Sequence, residues 1–313
     1  MNNPAAFAQR HPLRRWRRHL LILLPLLAAT ALAVTWQVGS ELIAPARRPV
    51  GQPPRAINAH SILLRAHSGA AISGWHSVPA DCRGAVVLVH GIRANRLVML
   101  DRARMLHDAG FATIMIDLQA HGESNGEQIT LGALEQYDVR AAVEFAQAKH
   151  PDLPLAVIGV SMGGAATVLA SPLPVHAVVL ESVFPEIRSA IHNRVAARLG
   201  PLAAVPTQLL LAQLQFRLGI PPDSLRPLDR MPQLGCPVLI LSGADDSFTP
   251  ATATQELFAA AREPKQLLLM EGAGHVDLCQ HAPTLYRNTV LPFLEQHLHS
   301  ATAESSDDTQ SAH

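Results

Sequence analysis

A mostly parallel α/β fold is predicted by two observations in this 313-residue sequence. Short apolar, partly β-branched runs recur along the chain, as expected of strands buried on both sheet faces. Three of these runs empty into loops carrying, in order, a serine, an aspartate pair and a histidine. Open α/β sheets place their ligand sites just beyond such strand ends.

From the N-terminus, Arg10, Arg14, Arg15, Arg17 and Arg18 precede an apolar segment from Leu20 to about Val38. At ~1.5 Å per residue, a helix of that length comes close to spanning the ~30 Å hydrocarbon core, and Pro25 is tolerable in lipid. Trp36 falls near the far interface. The expectation is an uncleaved transmembrane anchor over 19–38 in the cytoplasmic (inner) membrane. The basic residues 1–18 then stay cytoplasmic and the following domain is periplasmic or extracellular. A signal peptide cleaved near Ala31-Leu32-Ala33, with secretion, is the competing reading.

Residues 39–56 read as a linker, Pro- and Arg-rich from Ala44 to Arg55. Ser61 to Arg65 and Ala71 to His76 suit an antiparallel starting hairpin. Strands are predicted at Ala85 to Val89, Thr113 to Ile116, Leu155 to Ile158, Ala177 to Leu180, Val238 to Leu241 and Gln266 to Met270, with helices between them. Leu134, Tyr137, Ala141 and Phe145, at i, i+3, i+7 and i+11, predict a core-facing stripe on the helix before the third of these strands. A small helical cap is expected over about 183–232, where Ala203 to Leu218 is an apolar helical stretch suited to packing or to lining an acyl pocket. One domain over 57–299 fits the length. The polar tail 300–313 predicts disorder.

The chemistry concentrates in PLAVIGVSMGGAATVLA, where Ser161 stands between Gly159 and Gly163 in a G-x-S-x-G pattern. A strand, a sharp turn and a helix there force the serine into a strained conformation that exposes its hydroxyl, with the helix N-terminus beside it. A serine needs a histidine to take its proton and a carboxylate to orient that histidine. His275 in KQLLLMEGAGHVDL can serve as the base. Asp245 and Asp246 in CPVLILSGADDSFTP, and Glu181 at the end of a strand, are the candidate acids.

With VVLVHG at Val86 to Gly91 and DLQAHGESNG at Asp117 to Gly126, these motifs resemble the α/β-hydrolase fold family, most closely its bacterial serine-aminopeptidase-like and dienelactone-hydrolase-like branches. The resemblance runs from about Ile57 to His299. It implies an oxyanion hole made by the backbone N–H groups of Ile92 and Met162. Its G-x-x-D-x-x-[VT]-P pattern, matched by Gly243, Asp246, Thr249 and Pro250, selects Asp246 as the acid, leaves Asp245 as a loop-stabilising or solvent-facing neighbour and keeps Glu181 as a fallback. His90, His121, Asp117 and Ser124 are expected to shape loops through hydrogen bonds.

Other classes are disfavoured. The 16 histidines lack the i,i+4 or cysteine-paired spacing of a zinc site, so no metal and no cofactor are expected. Without the five N-terminal arginines, 20 basic residues face 25 acidic ones, which argues against nucleic-acid binding. Three widely spaced cysteines define no disulfide framework. The expected function is a membrane-anchored serine hydrolase acting on a small-molecule or lipid-like ester or thioester, with an amide also open. Acyl transfer by the same residues, or a tethered binding protein without chemistry, are the alternatives. Oligomeric state is left open.

Overall fold

In the computed structural model, residues 12–310 are described, without the side chains of 12–18, 20 and 299–310. The hairpin forms as expected: β2 (Ala59–Arg65) pairs antiparallel with β3 (Ala71–Ser77). β3 in turn pairs antiparallel with β5 (Ala112–Ile116), beside β4 (Ala85–Val89). The sheet continues through β7 (Leu155–Val160), β8 (Ala177–Glu181), β9 (Val238–Gly243) and β10 (Lys265–Met270). Its order is β10-β9-β8-β7-β4-β5-β3-β2, and β3 alone runs against the other strands. The α/β architecture predicted from the apolar runs is therefore the one observed.

Each central strand is buried because helices cover both faces, Val160 at the end of β7 being partly exposed. Ala85, Val87 and Val89 enter one core with Val139 of α3 (Glu135–Lys149), Ala165 and Val168 of α4 (Met162–Leu169), Ile187 of α5 (Ile187–Leu199) and Leu257 of α8 (Ala251–Ala260). The alternating Val86 and Leu88 enter a second core with Leu106 of α2 (Leu100–Asp108), Leu278 of α9 (Leu278–His281) and Val290 and Leu294 of α10 (Pro283–Gln310). The period of two thus divides one strand between two cores.

Three expectations change. The stripe on α3 is wider than expected: Ala141 is buried as predicted and Tyr137 and Phe145 pack half-buried against the core, but Val139, Ala142, Val143 and Ala146 are buried beside them and Leu134, just before the helix, is exposed. Next to Leu134, Glu135 is buried and its carboxylate accepts the backbone N–H groups of Thr130 and Gly132. Residues 300–310, expected to be disordered, continue α10, which is anchored by buried Tyr286, Phe293 and Leu298. Residues 311–313 lie outside the described chain.

The third change concerns the N-terminal segment. α1 (Pro12–Ile43) passes the expected end at Val38, and Leu21–Ile43 is long and apolar enough to cross a membrane. Leu21 to Leu27 are exposed, whereas Thr35, Gly39 and Ile43, four residues apart, are buried on one face. That face meets α6 (Ala204–Gln213) of the cap, where Gln213 Nε2 donates to Thr35 O at 3.0 Å and the Arg217 guanidinium lies over the Trp36 ring. The expected linker 39–56 is likewise attached. β1 (Ala46–Arg47) pairs in parallel with β6 (His121–Gly122), more than 70 residues away. In the cap, Leu210, Leu211 and Leu214 join the first core, so this stretch packs, while Phe216 remains exposed.

Candidate functional site

Ser161 joins β7 to α4 with φ +50° and ψ −115°, a region costly for any residue with a Cβ. The surrounding backbone leaves it no alternative. A Cβ on Gly163 would strike His90 O and lie 2.6 Å from Val89 O, and one on Gly159 would lie 2.6 Å from Gly164 Cα. The end of β4 and the first turn of α4 therefore approach at distances only glycine permits. The Ser161 N–H is taken by Glu181 O at 2.7 Å, and Ser161 O accepts from Ala165 N, which begins the helix.

Ser161, His275 and Asp246, predicted from three separate loops, are hydrogen-bonded in line. His275 Nε2 lies 3.3 Å from Ser161 Oγ, and His275 Nδ1 lies 2.7 Å from Asp246 Oδ2. The loops after β9 and β10 are laced together: Ala244 N donates to Met270 O and Asp245 N to Ala273 O, each at 2.9 Å. The second Asp246 oxygen accepts from Phe248 N and Thr249 N, both at 2.8 Å. Burial pushes the Asp246 carboxyl up, but the His275 hydrogen bond and the two N–H donors outweigh it and hold it below the usual carboxylate range. A charged carboxylate beside Nδ1 fixes the proton on that nitrogen and leaves Nε2 as a base toward the serine. Asp245 is exposed, as expected.

Glu181 is engaged elsewhere. Its oxygens accept from Arg102 Nε at 2.9 Å, Arg102 Nη2 at 2.6 Å and Tyr286 Oη at 2.6 Å, all three side chains being buried. This cluster ties α2, β8 and α10 together, Arg102 also pairs with Asp277, and among the described residues no hydrogen bond joins the Glu181 and His275 side chains. Burial works against the Arg102 charge, yet the adjacent Glu181 keeps the guanidinium pKa raised well above the ordinary value.

Gly91 lies against the serine, since a Cβ on it would be 3.4 Å from Ser161 Cβ. Its carbonyl accepts from His90 Nδ1 at 2.7 Å, while His90 Nε2 accepts the Leu118 N–H at 3.1 Å. Because a trans peptide sets N–H opposite C=O, His90 fixes the direction in which the Ile92 N–H points. His121 makes the parallel arrangement next door: Nδ1 donates to Gln119 O at 2.8 Å and Nε2 accepts the Arg93 N–H at 2.9 Å. Both histidines therefore shape loops, as expected, and so do Asp117 and Ser124. Asp117 accepts the Arg96 and Glu123 N–H groups, and Ser124 Oγ donates to Asp117 O.

Burial is the largest cause pushing both imidazoles down to about 4, so they are neutral near pH 7. In the unfolded chain they take a proton near pH 6.5. The unfolded state therefore binds more protons between about 6.5 and 4, and the stability present above 6.5 is lost as pH falls through that window. A melting midpoint that declines over this range is expected in a thermal scan at stepped pH. A midpoint flat from pH 6.5 to 4 would contradict the assignment.

Several contacts at the site were not read from the sequence. The Phe248 ring lies 5.5 Å from that of His275, Asn193 Nδ2 donates to Phe248 O at 3.1 Å, and the Arg194 guanidinium covers the Phe248 ring at 4.7 Å. The cap helix α5 thus holds the loop that orients the histidine. Phe248 sits at an unspecified position of the matched pattern, and only its neighbour Thr249 carried a signal. Among the described residues, no three histidine, cysteine or acidic side chains converge as a metal site.

Comparison with known proteins agrees with this fold. The family model described as serine aminopeptidase, S33, matches residues 80–225. The uncharacterized protein YqkD of Bacillus subtilis is 26% identical over 230 residues, covering 72% of this chain and 75% of that protein. A monoacylglycerol lipase of Mycolicibacterium smegmatis is 35% identical over 106 residues, 31% of this chain and 38% of the lipase. The structure of an esterase from Pyrococcus furiosus superposes with a TM-score of 0.69 at 20% identity, covering 82% of this chain and 98% of the esterase, a likeness of fold. Sheet order, the strained serine turn and the family match over residues 80–225 together give the chain an α/β-hydrolase fold.

Proposed function

We propose that the chain is a serine hydrolase that cleaves carboxylic esters or thioesters through an acyl-enzyme on Ser161. The observation carrying this reading is the hydrogen-bonded line from Ser161 Oγ through His275 to Asp246, with the serine held at φ +50°. The 3.3 Å separation of Oγ and Nε2 suits a resting site whose hydrogen bonds tighten when substrate binds. As Oγ attacks the acyl carbonyl carbon, Nε2 takes its proton, and the Asp246 carboxylate stabilises the resulting imidazolium. The oxyanion is received by the N–H groups of Met162, at the start of α4, and Ile92, whose peptide His90 orients. Collapse breaks the bond to the leaving alcohol or thiol, which takes the proton from His275. Water then attacks the acyl carbon, giving a proton to Nε2, and the acid leaves as Ser161 recovers that proton.

The substrate class inferred is an amphiphilic, lipid-like acyl ester. Its support is the exposed apolar α1, read as an uncleaved anchor that leaves the hydrolase domain outside the cytoplasmic membrane, together with the partial match to a monoacylglycerol lipase. The basic residues that set this orientation include Arg10, which lies outside the described residues. Full-length protein in detergent should hydrolyse p-nitrophenyl esters with kcat/KM rising from acetate toward medium and long acyl chains. Cleavage confined to acetate and butyrate would contradict the lipid-like substrate.

A further inference from the structure

The end of α1 and the chain after it are fastened to the turn beside Ser161. Arg93 Nη1 donates to the carbonyls of Glu41 at 2.6 Å and Ala44 at 3.3 Å, at the C-terminal end of α1. Helix carbonyls there lack intrahelical partners and carry the negative end of the dipole, so a guanidinium is a favourable cap. In return, Arg48 Nη2 donates to Arg93 O at 2.7 Å. Between these two contacts, Ala46 N donates to Ala120 O at 2.7 Å, Arg48 N to Gly122 O at 2.8 Å and Ile129 N to Ile43 O at 2.8 Å. Segment 41–48 is therefore a strap that runs from the apolar helix across the turn Gly91-Ile92-Arg93 and the loop holding His121.

Arg93 has φ +58°, a left-handed conformation uncommon for a residue with a Cβ and held by its surroundings. Here the N–H is taken by buried His121 and the carbonyl by Arg48. The turn next to the serine thus keeps its shape because strap and His121 loop grip it from both sides. We propose that the strap, acting through Arg93 and Arg48, positions the Ile92 N–H for the oxyanion and couples the state of the N-terminal helix to catalysis. Arg93 and Arg48 are positioning residues in this scheme, and the inference rests on the serine-hydrolase reading above. Arg93 is exposed, so its hold is shared with Arg48, and the double variant is the informative one.

The test uses the full-length protein in detergent, with Arg48→Ala/Arg93→Ala, Arg93→Lys and wild type compared after titration of reactive Ser161 with a fluorophosphonate. Ester kcat per reactive site and inhibition by an alkyl trifluoromethyl ketone are measured. The Ser161 oxygen adds to the ketone carbon, its proton passes to His275, and the resulting oxyanion needs the same N–H donors. Small displacements of catalytic groups cost up to about 100-fold. The double variant is expected to lose about 10- to 100-fold in kcat and a similar factor in ketone affinity, with KM within about twofold. Arg93→Lys, which keeps the cationic cap, should recover most of both. A double variant whose titrated sites retain wild-type kcat and ketone affinity, even with a lower melting temperature, would overturn the proposal. A wild type with unreactive Ser161 is a separate result, which removes the hydrolase reading and this inference with it.

Discussion

Replacing Ser161 by alanine is expected to lower ester turnover by about 10⁴-fold or more while leaving the fold intact. The side chain removed is small, and the elbow's shape depends on the backbone approaches at Gly159 and Gly163, which the substitution does not touch. Alanine at φ +50° carries the same Cβ penalty as serine, so the melting temperature should stay close to wild type. The measurement is initial-rate hydrolysis beside a thermal melt. Turnover within tenfold of wild type in a folded variant would remove Ser161 from the chemistry.

Asp246→Asn and Glu181→Ala should fail in opposite ways. An asparagine at 246 keeps the volume and can still accept from Phe248 and Thr249, but it removes the charge that stabilises protonated His275 and selects its tautomer. A loss of about 10⁴ in kcat with little loss of stability is expected. Glu181→Ala leaves the buried Arg102 guanidinium short of two bonds, with only the half-buried Asp277 still ion-paired to it, and the Tyr286 hydroxyl short of one. Breaking such a pair costs about 3–5 kcal/mol, so the protein should melt markedly lower or fail to accumulate. A stable Glu181→Ala variant with turnover lost, beside an active Asp246→Asn, would exchange the roles given to the two carboxylates.

What could be read from the sequence is what local chemistry determines. The elbow, the paired glycines and the strand-loop signals around Asp246 and His275 each lie within about ten residues, and the structure brings the three side chains into line. The choice of Asp246 over Glu181 came from a pattern, and its physical reason emerges only in three dimensions, where Arg102 and Tyr286 occupy Glu181 from elements far apart in sequence. Hydrophobic periodicity finds Tyr137, Ala141 and Phe145 on the core side of α3, but it cannot anticipate, beside exposed Leu134, the buried Glu135 whose carboxylate is paired with backbone N–H groups. Segment 39–56 read as a linker because two-residue pairing with His121 and Gly122 leaves no periodic trace. The contacts of Phe248 with Asn193 and Arg194 of the cap escaped for the same reason, being entirely non-local.

Activation of Ser161 by His275 and Asp246 is read out by treating full-length protein in detergent with a fluorophosphonate and mapping the adduct by mass spectrometry after digestion. One phosphonyl adduct on Ser161, formed quickly in wild type and much more slowly in Asp246→Asn and His275→Ala, is the predicted result. A folded wild type that stays unlabelled, or an adduct on another serine that forms equally well without His275, would contradict it.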